Sequence, residues 1–531
     1  METPLTPLEF ARRARKLYPE RIAVVDGDST WTYAQFLDRC DRWSAVLQKL
    51  GIRQGDRIAY LSPNSPAQLE SFYAVPQVGA VLVPLNYRLT ADDFVYLINH
   101  SGARMICADR DYLGTIDSIR SRLPQVEHFV ALNCGVGCPQ HNSQGANWLD
   151  YAAALKASPA EFVRPEIRES DLLTINYTSG TTSRPKGVMI THRNAWMNSI
   201  GTLVHQSLTC ADRYLWTLPM FHANGWTFVW TVTAAGATHV CLRKVEPRAV
   251  FELMAKEHIT VLSAAPTVLI SLANARGVRH LAPKGILVFT AGAPPAASTI
   301  QRLEEELGWT IIHVYGLTET APFITVCEPR KEHTSLTISE RAAIKARQGV
   351  ELITSGELRV VDEEGNDVPC DGTTQGEIVA RGNVIMAGYY DDPTATEQAL
   401  RGGWFHSGDA AVVHPDGYVE IRDRLKDVII SGGENISSIE VEGVLLRHPA
   451  VQEVAIVGLA HERWGEAPHA FVVLKQDARA DESELREFAR ANLAHFKAPH
   501  SVTFLNELPK TATGKIQKYV LRARQPAIIP Q

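Results

Sequence analysis

One ten-residue stretch concentrates groups that bind phosphate. It reads Thr178-Ser179-Gly180-Thr181-Thr182-Ser183-Arg184-Pro185-Lys186-Gly187, with five hydroxyls, two glycines and two cations. Backbone N–H groups of a glycine-rich turn, side-chain hydroxyls and a lysine can together wrap the oxygens of a polyphosphate. The spacing from Gly180 to Lys186 is that of a Walker-type loop, but Pro185 stands at the second glycine position and Gly187 follows the lysine in place of Ser or Thr. A strand-like run, 172–176, precedes the segment and another, 188–190, follows it, whereas a Walker loop opens a helix. A solvated turn would account for the composition, but not for the two strands or the Pro-Lys-Gly ending.

Six more segments follow in chain order. They are 290–294 (Thr-Ala-Gly-Ala-Pro), 313–319 (His-Val-Tyr-Gly-Leu-Thr-Glu), 404–409 (Trp-Phe-His-Ser-Gly-Asp), 424–427 (Arg-Leu-Lys-Asp), 431–435 (Ser-Gly-Gly-Glu-Asn) and 509–516 (Pro-Lys-Thr-Ala-Thr-Gly-Lys-Ile). Alone, a Gly-Asp pair reads as a turn and Lys515 as a surface lysine. Together with the 178–187 loop they resemble the adenylate-forming superfamily of acyl- and aryl-CoA synthetases, luciferases and peptide-synthetase adenylation domains. The resemblance runs over nearly the whole chain and is closest to short- and medium-chain fatty acyl-CoA synthetases. Ser183 departs from the Gly usual there, and Asp423 stands where many members have Gly.

That resemblance implies roles for particular residues. Thr178, Ser179, Gly180, Thr181, Thr182 and Lys186 hold the nucleotide phosphates, and Thr178 also belongs to the catalytic set. Ala291, Gly292, Ala293 and Pro294 border adenine and the acyl group, where small residues let a flat ring approach the backbone. His313, Val314, Tyr315, Gly316 and Thr318 line the nucleotide, with Tyr315 stacked on adenine and Thr318 reaching a phosphate. Glu319, with Thr181, holds Mg²⁺, a hard cation that takes one or two protein oxygens beside nucleotide phosphates. Asp409 accepts the ribose hydroxyls and Arg424 contacts the ribose. Lys426 is the hinge of a mobile C-terminal unit, Gly433 flanks the route of CoA, and Lys515 is the adenylation lysine.

On the acid's side, 218–226 (Leu-Pro-Met-Phe-His-Ala-Asn-Gly-Trp) resembles the segment lining the carboxylate pocket. His222 then stands near the acyl group and joins the catalytic set. Trp226 is either a wall that shortens the acyl tunnel or a core tryptophan. Pro266 forms another wall, and Ala291, Gly292 and Gly316 complete the pocket. Arg243 and Lys244 are either contacts for CoA phosphates or a solvated basic pair. The implied activity is an ATP-dependent carboxylic acid–CoA ligase acting in two steps, through acyl-AMP and pyrophosphate and then acyl-CoA and AMP. The implied acids are short to medium in length. The alternatives are an aryl acid–CoA ligase for cinnamate- or benzoate-like acids, and an adenylating enzyme that loads a carrier-protein thiol in trans.

These residues need a scaffold that brings distant strand ends together. Runs at 58–61 and 81–84 read as strands, and 68–75 and 91–99 as helices, a rhythm of βαβ units and parallel sheet through the first 320 residues. From about 350 to 421 short strands joined by turns, including 357–361 and 376–380, predict a small β-barrel-like subdomain. A last α+β unit follows, with a helix at 439–446, strands at 454–457, 471–474 and 502–505, and Asp481 as the N-cap of a helix carrying Leu485, Phe488, Ala489 and Leu493 on one face. The predicted fold class is therefore α/β, with an N-terminal ATP- and acid-binding domain over 1–424 and a C-terminal domain over 425–531.

Composition sets the outer limits. The chain has 531 residues, 45% hydrophobic and 21% charged, with net charge −6. Such a chain buries substantial cores, is not a disordered one, and is a poor candidate for nucleic-acid binding. Eight cysteines are too sparse for a disulfide scaffold, and Cys134, Cys138 and His141 lack a fourth ligand for a metal site. No signal peptide or membrane-spanning run is visible. The expected setting is cytoplasmic, as a monomer or homodimer, with a small acid, ATP and CoA as partners.

Overall fold

The computed structural model describes residues 2–134, 147–178, 184–275, 277–425, 427–432, 434–511 and 515–524. Among these, short apolar runs alternating with amphipathic helices build two large, mainly parallel sheets. One has eight strands, in the order Gly388–Tyr389, Gly187–Thr191, Leu172–Tyr177, Val81–Pro84, Arg57–Leu61, Ala103–Asp109, His128–Leu132 and Leu149–Asp150. The other has nine, in the order Val350–Glu351, Phe323–Val326, Thr310–Gly316, Leu287–Thr290, Val261–Ser263, Arg213–Leu215, Thr238–Val240, Ile22–Asp26 and Ser29–Thr32.

Strands such as Val81–Pro84 are buried along their whole length, as expected where helices cover both faces of a parallel sheet. The helix Pro66–Gln77 shows the seam between the sheets. The Ser65 hydroxyl caps it by accepting the Gln68 N–H, Pro66 occupies the first turn, and every residue of the helix is buried. Its Phe72 and Tyr73 pack in one core with Trp216, Trp226 and Trp230.

The expected β unit is a four-stranded antiparallel sheet of Glu357–Val361, Gly376–Arg381, Phe405–Val413 and Val419–Arg424. It runs three residues beyond the predicted end at 421. Burial alternates through Asp423, whose carboxylate is buried and accepts the Ser438 N–H at 2.7 Å. The charged stretch at 422–424 is therefore strand, and Asp423 caps the next helix, Ser438–Leu445.

The C-terminal unit has its own core of Ile429, Val441, Ile456, Val472 and Leu485. Strands Val451–His461 and Gly465–Leu474 form a long hairpin, and Ser501–Phe504 lies parallel to the second arm. Asp481 caps the helix Glu482–Asn492 through the Glu484 N–H at 2.9 Å. No helix among the described residues is long and apolar enough to cross a membrane.

Candidate active site

The chemistry-bearing segments gather at strand ends. Leu172–Tyr177 and Gly187–Thr191 are antiparallel, with Tyr177 opposite Gly187, and the Thr178 N–H donates to the Lys186 carbonyl at 3.0 Å. This pair joins the two ends of the 178–187 segment. Gly187 is required there, because a Cβ would stand 2.9 Å from Ile175 Cγ2 and 3.3 Å from the Tyr177 ring. Lys186 holds its ammonium 4.7 Å above the centre of the Tyr389 ring. Ser179, Gly180, Thr181 and Thr182 lie outside the described residues, as do Lys426, Gly433, Cys138 and His141.

The strand Thr310–Gly316 carries His313, Val314, Tyr315 and Gly316. The Tyr315 hydroxyl donates to Asp409 Oδ2 at 2.6 Å, and Arg424 Nε reaches Asp409 Oδ1 at 2.8 Å. Asp409 is not at a turn, as a lone Gly-Asp would suggest. It stands mid-strand directly opposite Arg424, so the pair is a cross-strand ion pair. Burial works against the Arg424 charge, but Asp409, Tyr315, Glu319 and Asp427 together outweigh it and the guanidinium is held more firmly protonated. Burial pushes the Tyr315 hydroxyl well up, so it remains a donor. His313 is buried with Nδ1 unpartnered, and burial pushes it down to about 4.

Glu319 follows on a tight turn, Thr318–Thr320, in which the Thr320 hydroxyl accepts the Leu317 N–H at 2.9 Å. Gly316 permits this turn, since a Cβ there would collide with the Pro322 carbonyl oxygen. The Glu319 carboxylate is half-buried, accepts the Tyr389 hydroxyl on Oε1 at 2.9 Å and forms no ion pair with Lys186. A carboxylate with one oxygen engaged and the other available suits a hard divalent cation that takes its remaining ligands from phosphates and water.

The 218–226 segment, expected to line the acid pocket, has backbone in an unusual conformation. Ala223, Asn224, Gly225, Trp226 and Thr227 all have positive φ, a sparsely populated region that the surroundings must enforce. The Asn176 amide donates to the Phe221 carbonyl at 3.2 Å and to Asn224 Oδ1 at 3.1 Å, and the Asn224 amide donates to the Thr174 hydroxyl at 2.8 Å. These contacts aim the Trp226 indole against Gly292, where a Cβ would lie 3.9 Å from Cζ2, and against Phe323 with ring centres 6.0 Å apart. Trp226 is only 4% exposed and shares its core with Ala291. Gly292 has φ +87° and stands open beside half-buried Ala293 and Pro294. Pro266 starts the helix Pro266–Asn274.

The C-terminal unit reaches this segment through Lys510 and Lys515. Lys510 pairs with Ile516, and the Thr511 N–H donates to the Lys515 carbonyl at 2.7 Å. Lys510 lines a cavity of about 240 Å³ with Leu218, Pro219, Ala265 and Thr267. Burial pushes His222 down to about 4, and the Lys515 ammonium pushes it the same way. His222 is therefore a neutral imidazole, with a cation from the other unit within electrostatic reach.

Arg243 is neither a solvated cation nor open to a ligand. It makes two bonds to buried Asp109, at 2.9 and 3.0 Å, and one to Asp111 at 2.8 Å. Lys244 is exposed and pairs with Glu246 at 2.5 Å. Among the described residues no three metal-ligating side chains cluster. Two contributors escaped the sequence reading. Asn224 sits inside the quoted segment, but its network is visible only when Thr174 and Asn176 are opposite it. Tyr389 follows a glycine, Gly388, with φ +141° and a hypothetical Cβ 2.7 Å from Thr396. A Gly-aromatic pair closing a strand-like run was the available signal.

Two family models match the chain. The family described as AMP-binding enzyme matches residues 10–390, and AMP-binding enzyme C-terminal domain matches 440–515. The chain is similar to 4-hydroxybutyrate–CoA ligase 2 of Metallosphaera sedula, at 41% identity over 520 residues, 98% of this chain and 94% of that one. It is also similar to acetate–CoA ligase CCL3 of Humulus lupulus, at 41% identity over 540 residues, 98% of this chain and 95% of that one. In structure it resembles the anthranilate CoA ligase AuaEII in complex with anthranoyl-AMP, with a TM-score of 0.88, 25% identity and 98% of both chains covered.

Proposed function

The chain belongs to the AMP-binding enzyme family and is an ATP-dependent acid–CoA ligase, and we propose that its acids are short to medium in length and are activated at the site described above. The observation that carries this reading is the approach of the C-terminal unit to the 218–226 segment, with Lys510 beside Leu218 and Pro219 and Lys515 bearing on His222.

A carboxylate is a poor acyl donor because its leaving group would be an oxide. In the first step a carboxylate oxygen attacks the α-phosphorus of ATP and pyrophosphate leaves, giving the mixed anhydride. Lys515 supplies positive charge to the oxygens that become more negative in that step, and Thr178 and Lys186 hold the departing pyrophosphate. Asp409 takes the ribose hydroxyls, with Arg424 and Tyr315 fixing its orientation. Mg²⁺, held by Glu319 and with Thr181 proposed as a second ligand, would neutralise phosphate charge. Neutral His222 orients the acyl end without competing for the phosphate. In the second step the C-terminal unit turns about Lys426, Lys515 withdraws, and the Gly433 face admits CoA. The CoA thiol loses its proton, its sulfur bonds to the acyl carbon, and AMP leaves.

Buried Trp226 supports the length preference, because the indole fills the space a longer chain would enter. The names of the two relatives, which refer to four-carbon and two-carbon acids, point the same way. Buried thiols such as Cys40, Cys107 and Cys241, rather than disulfides, support a reducing, cytoplasmic setting. The test is a panel of aliphatic acids of two to ten carbons, with benzoate and cinnamate, assayed with ATP and CoA for acyl-CoA formation. The highest kcat/KM should fall among the short and medium acids. A higher value for the aryl acids, or adenylation without a CoA thioester, contradicts the reading.

A further inference from the structure

Tyr389 lies between two groups of opposite charge. Its hydroxyl donates to Glu319 Oε1 at 2.9 Å, and its ring face receives the Lys186 ammonium at 4.7 Å. Glu319 comes from the turn after one large sheet and Lys186 from the loop within the other. Without a spacer, a carboxylate and an ammonium brought to the same ring's position would be drawn to pair directly, leaving both less available to an incoming nucleotide. A phenol separates them by chemistry. The electron-rich face attracts the ammonium, and the hydroxyl at the edge donates to the carboxylate. The ring thereby engages only one of the two carboxylate oxygens.

The ring is itself fixed by its backbone. The Ala387 N–H donates to the Met189 carbonyl at 3.0 Å, the Tyr390 N–H to the Gly187 carbonyl at 2.7 Å, and the Met386 N–H to the Glu319 carbonyl at 2.8 Å. The Tyr389 N–H donates to the Thr396 hydroxyl at 2.9 Å. One strap therefore registers the strand leaving the phosphate loop and the turn carrying Glu319.

We propose that Tyr389 is a positioning residue that sets the Glu319 carboxylate and the Lys186 ammonium at a fixed separation, ready for a metal-bound triphosphate. This rests on the reading of Glu319 as the metal ligand. Tyr389 touches neither the reacting atoms nor the acid. Its hydroxyl governs the metal side and its ring governs the phosphate side.

Two substitutions separate these parts. Tyr389→Phe removes the hydroxyl and keeps the ring, and Tyr389→Leu removes both. The probe is α,β-methylene-ATP, which cannot be adenylated, titrated calorimetrically with and without Mg²⁺. Tyr389→Phe should weaken binding about tenfold with Mg²⁺ and stay within about twofold of the parent without it, as expected for loss of one charge-assisted hydrogen bond. Tyr389→Leu should weaken binding under both conditions. The strap's backbone bonds survive either change, so both variants should melt near the parent temperature.

Parent-like binding by Tyr389→Phe under both conditions, or an equal loss under both, overturns the role of the hydroxyl. A Tyr389→Leu variant indistinguishable from Tyr389→Phe overturns the role of the ring. Glu319→Gln separates this proposal from the reading beneath it. If that variant keeps the full benefit of Mg²⁺, Glu319 is not the metal ligand and both fall. If it loses the benefit while Tyr389→Phe keeps it, only the positioning role falls.

Discussion

Replacing Trp226 by glycine tests what limits the acid. The indole is 4% exposed and packs against Gly292 and Phe323. Removing a buried aromatic side chain of this size costs about 3–5 kcal/mol of stability. The backbone returns part of that cost. Trp226 has φ +50°, where an L-residue pays about 1–2 kcal/mol that glycine avoids. The net loss is about 1–4 kcal/mol, so a folded variant is expected. In the parent, a chain extended past the wall meets the indole and must displace packed groups, at about 1–3 kcal/mol. In the variant, each methylene entering the vacated space gains about 0.8 kcal/mol. Three methylenes amount to about 2.4 kcal/mol, or roughly fiftyfold in kcat/KM. The assay is pyrophosphate release over acids of two to ten carbons, with thermal melting in the presence of each acid. The optimum should move up by about three carbons, and the longer acids should restore part of the lost melting temperature. An unchanged chain-length profile in a folded variant would refute the argument, because Trp226 would then be only a core residue.

Gly316→Ala places a Cβ against the Pro322 carbonyl oxygen, so urea denaturation should show a loss of about 3 kcal/mol or more, with weaker ATP binding as the Glu319 turn shifts; parent-like stability would mean that the turn is not tightly constrained. His192, His222 and His313 are held down at about 4 and His239 at about 3, each chiefly by burial. Their unfolded forms bind protons below the ordinary histidine value of about 6.5 while the folded forms do not, so stability should rise with pH between about 4 and 6.5, by about 1.4 kcal/mol per pH unit for each such group. Urea midpoints measured from pH 4.5 to 7 check this, and His239→Gln should flatten the slope. A slope unchanged in that variant would mean that His239 is not refusing a proton.

The motifs were legible because each pairs a special backbone need with a chemical group. Gly187 and Gly316 stand where a Cβ would collide with a neighbouring chain, so the type of residue exposes the geometry. Strands such as Val81–Pro84 were equally legible, since burial on both faces leaves a continuous apolar run. What stayed hidden depends on partners far away in sequence. Arg243 looked like a surface cation because Asp109, which binds it, lies 134 residues earlier. Asp409 looked like a turn residue because Arg424 opposite it defines the strand. The positive-φ run from Ala223 to Thr227 contains one glycine, and it is held by Thr174 and Asn176, so local propensity gave no warning of it. Tyr389 is marked in the sequence only by the glycine before it, because Glu319 and Lys186 meet it only in the folded chain.

The central claim is that Lys515 serves one half-reaction and withdraws for the other. The most direct measurement is Lys515→Ala assayed in two ways, by pyrophosphate release from acid and ATP, and by acyl-CoA formation from supplied acyl-AMP and CoA. Loss of a preorganised charge stabiliser should slow adenylation by about 10²–10³-fold or more. Thioester formation from supplied acyl-AMP should stay within a few-fold of the parent. Equal losses in both assays would contradict the two-orientation account, and parent-like adenylation would remove Lys515 from the chemistry.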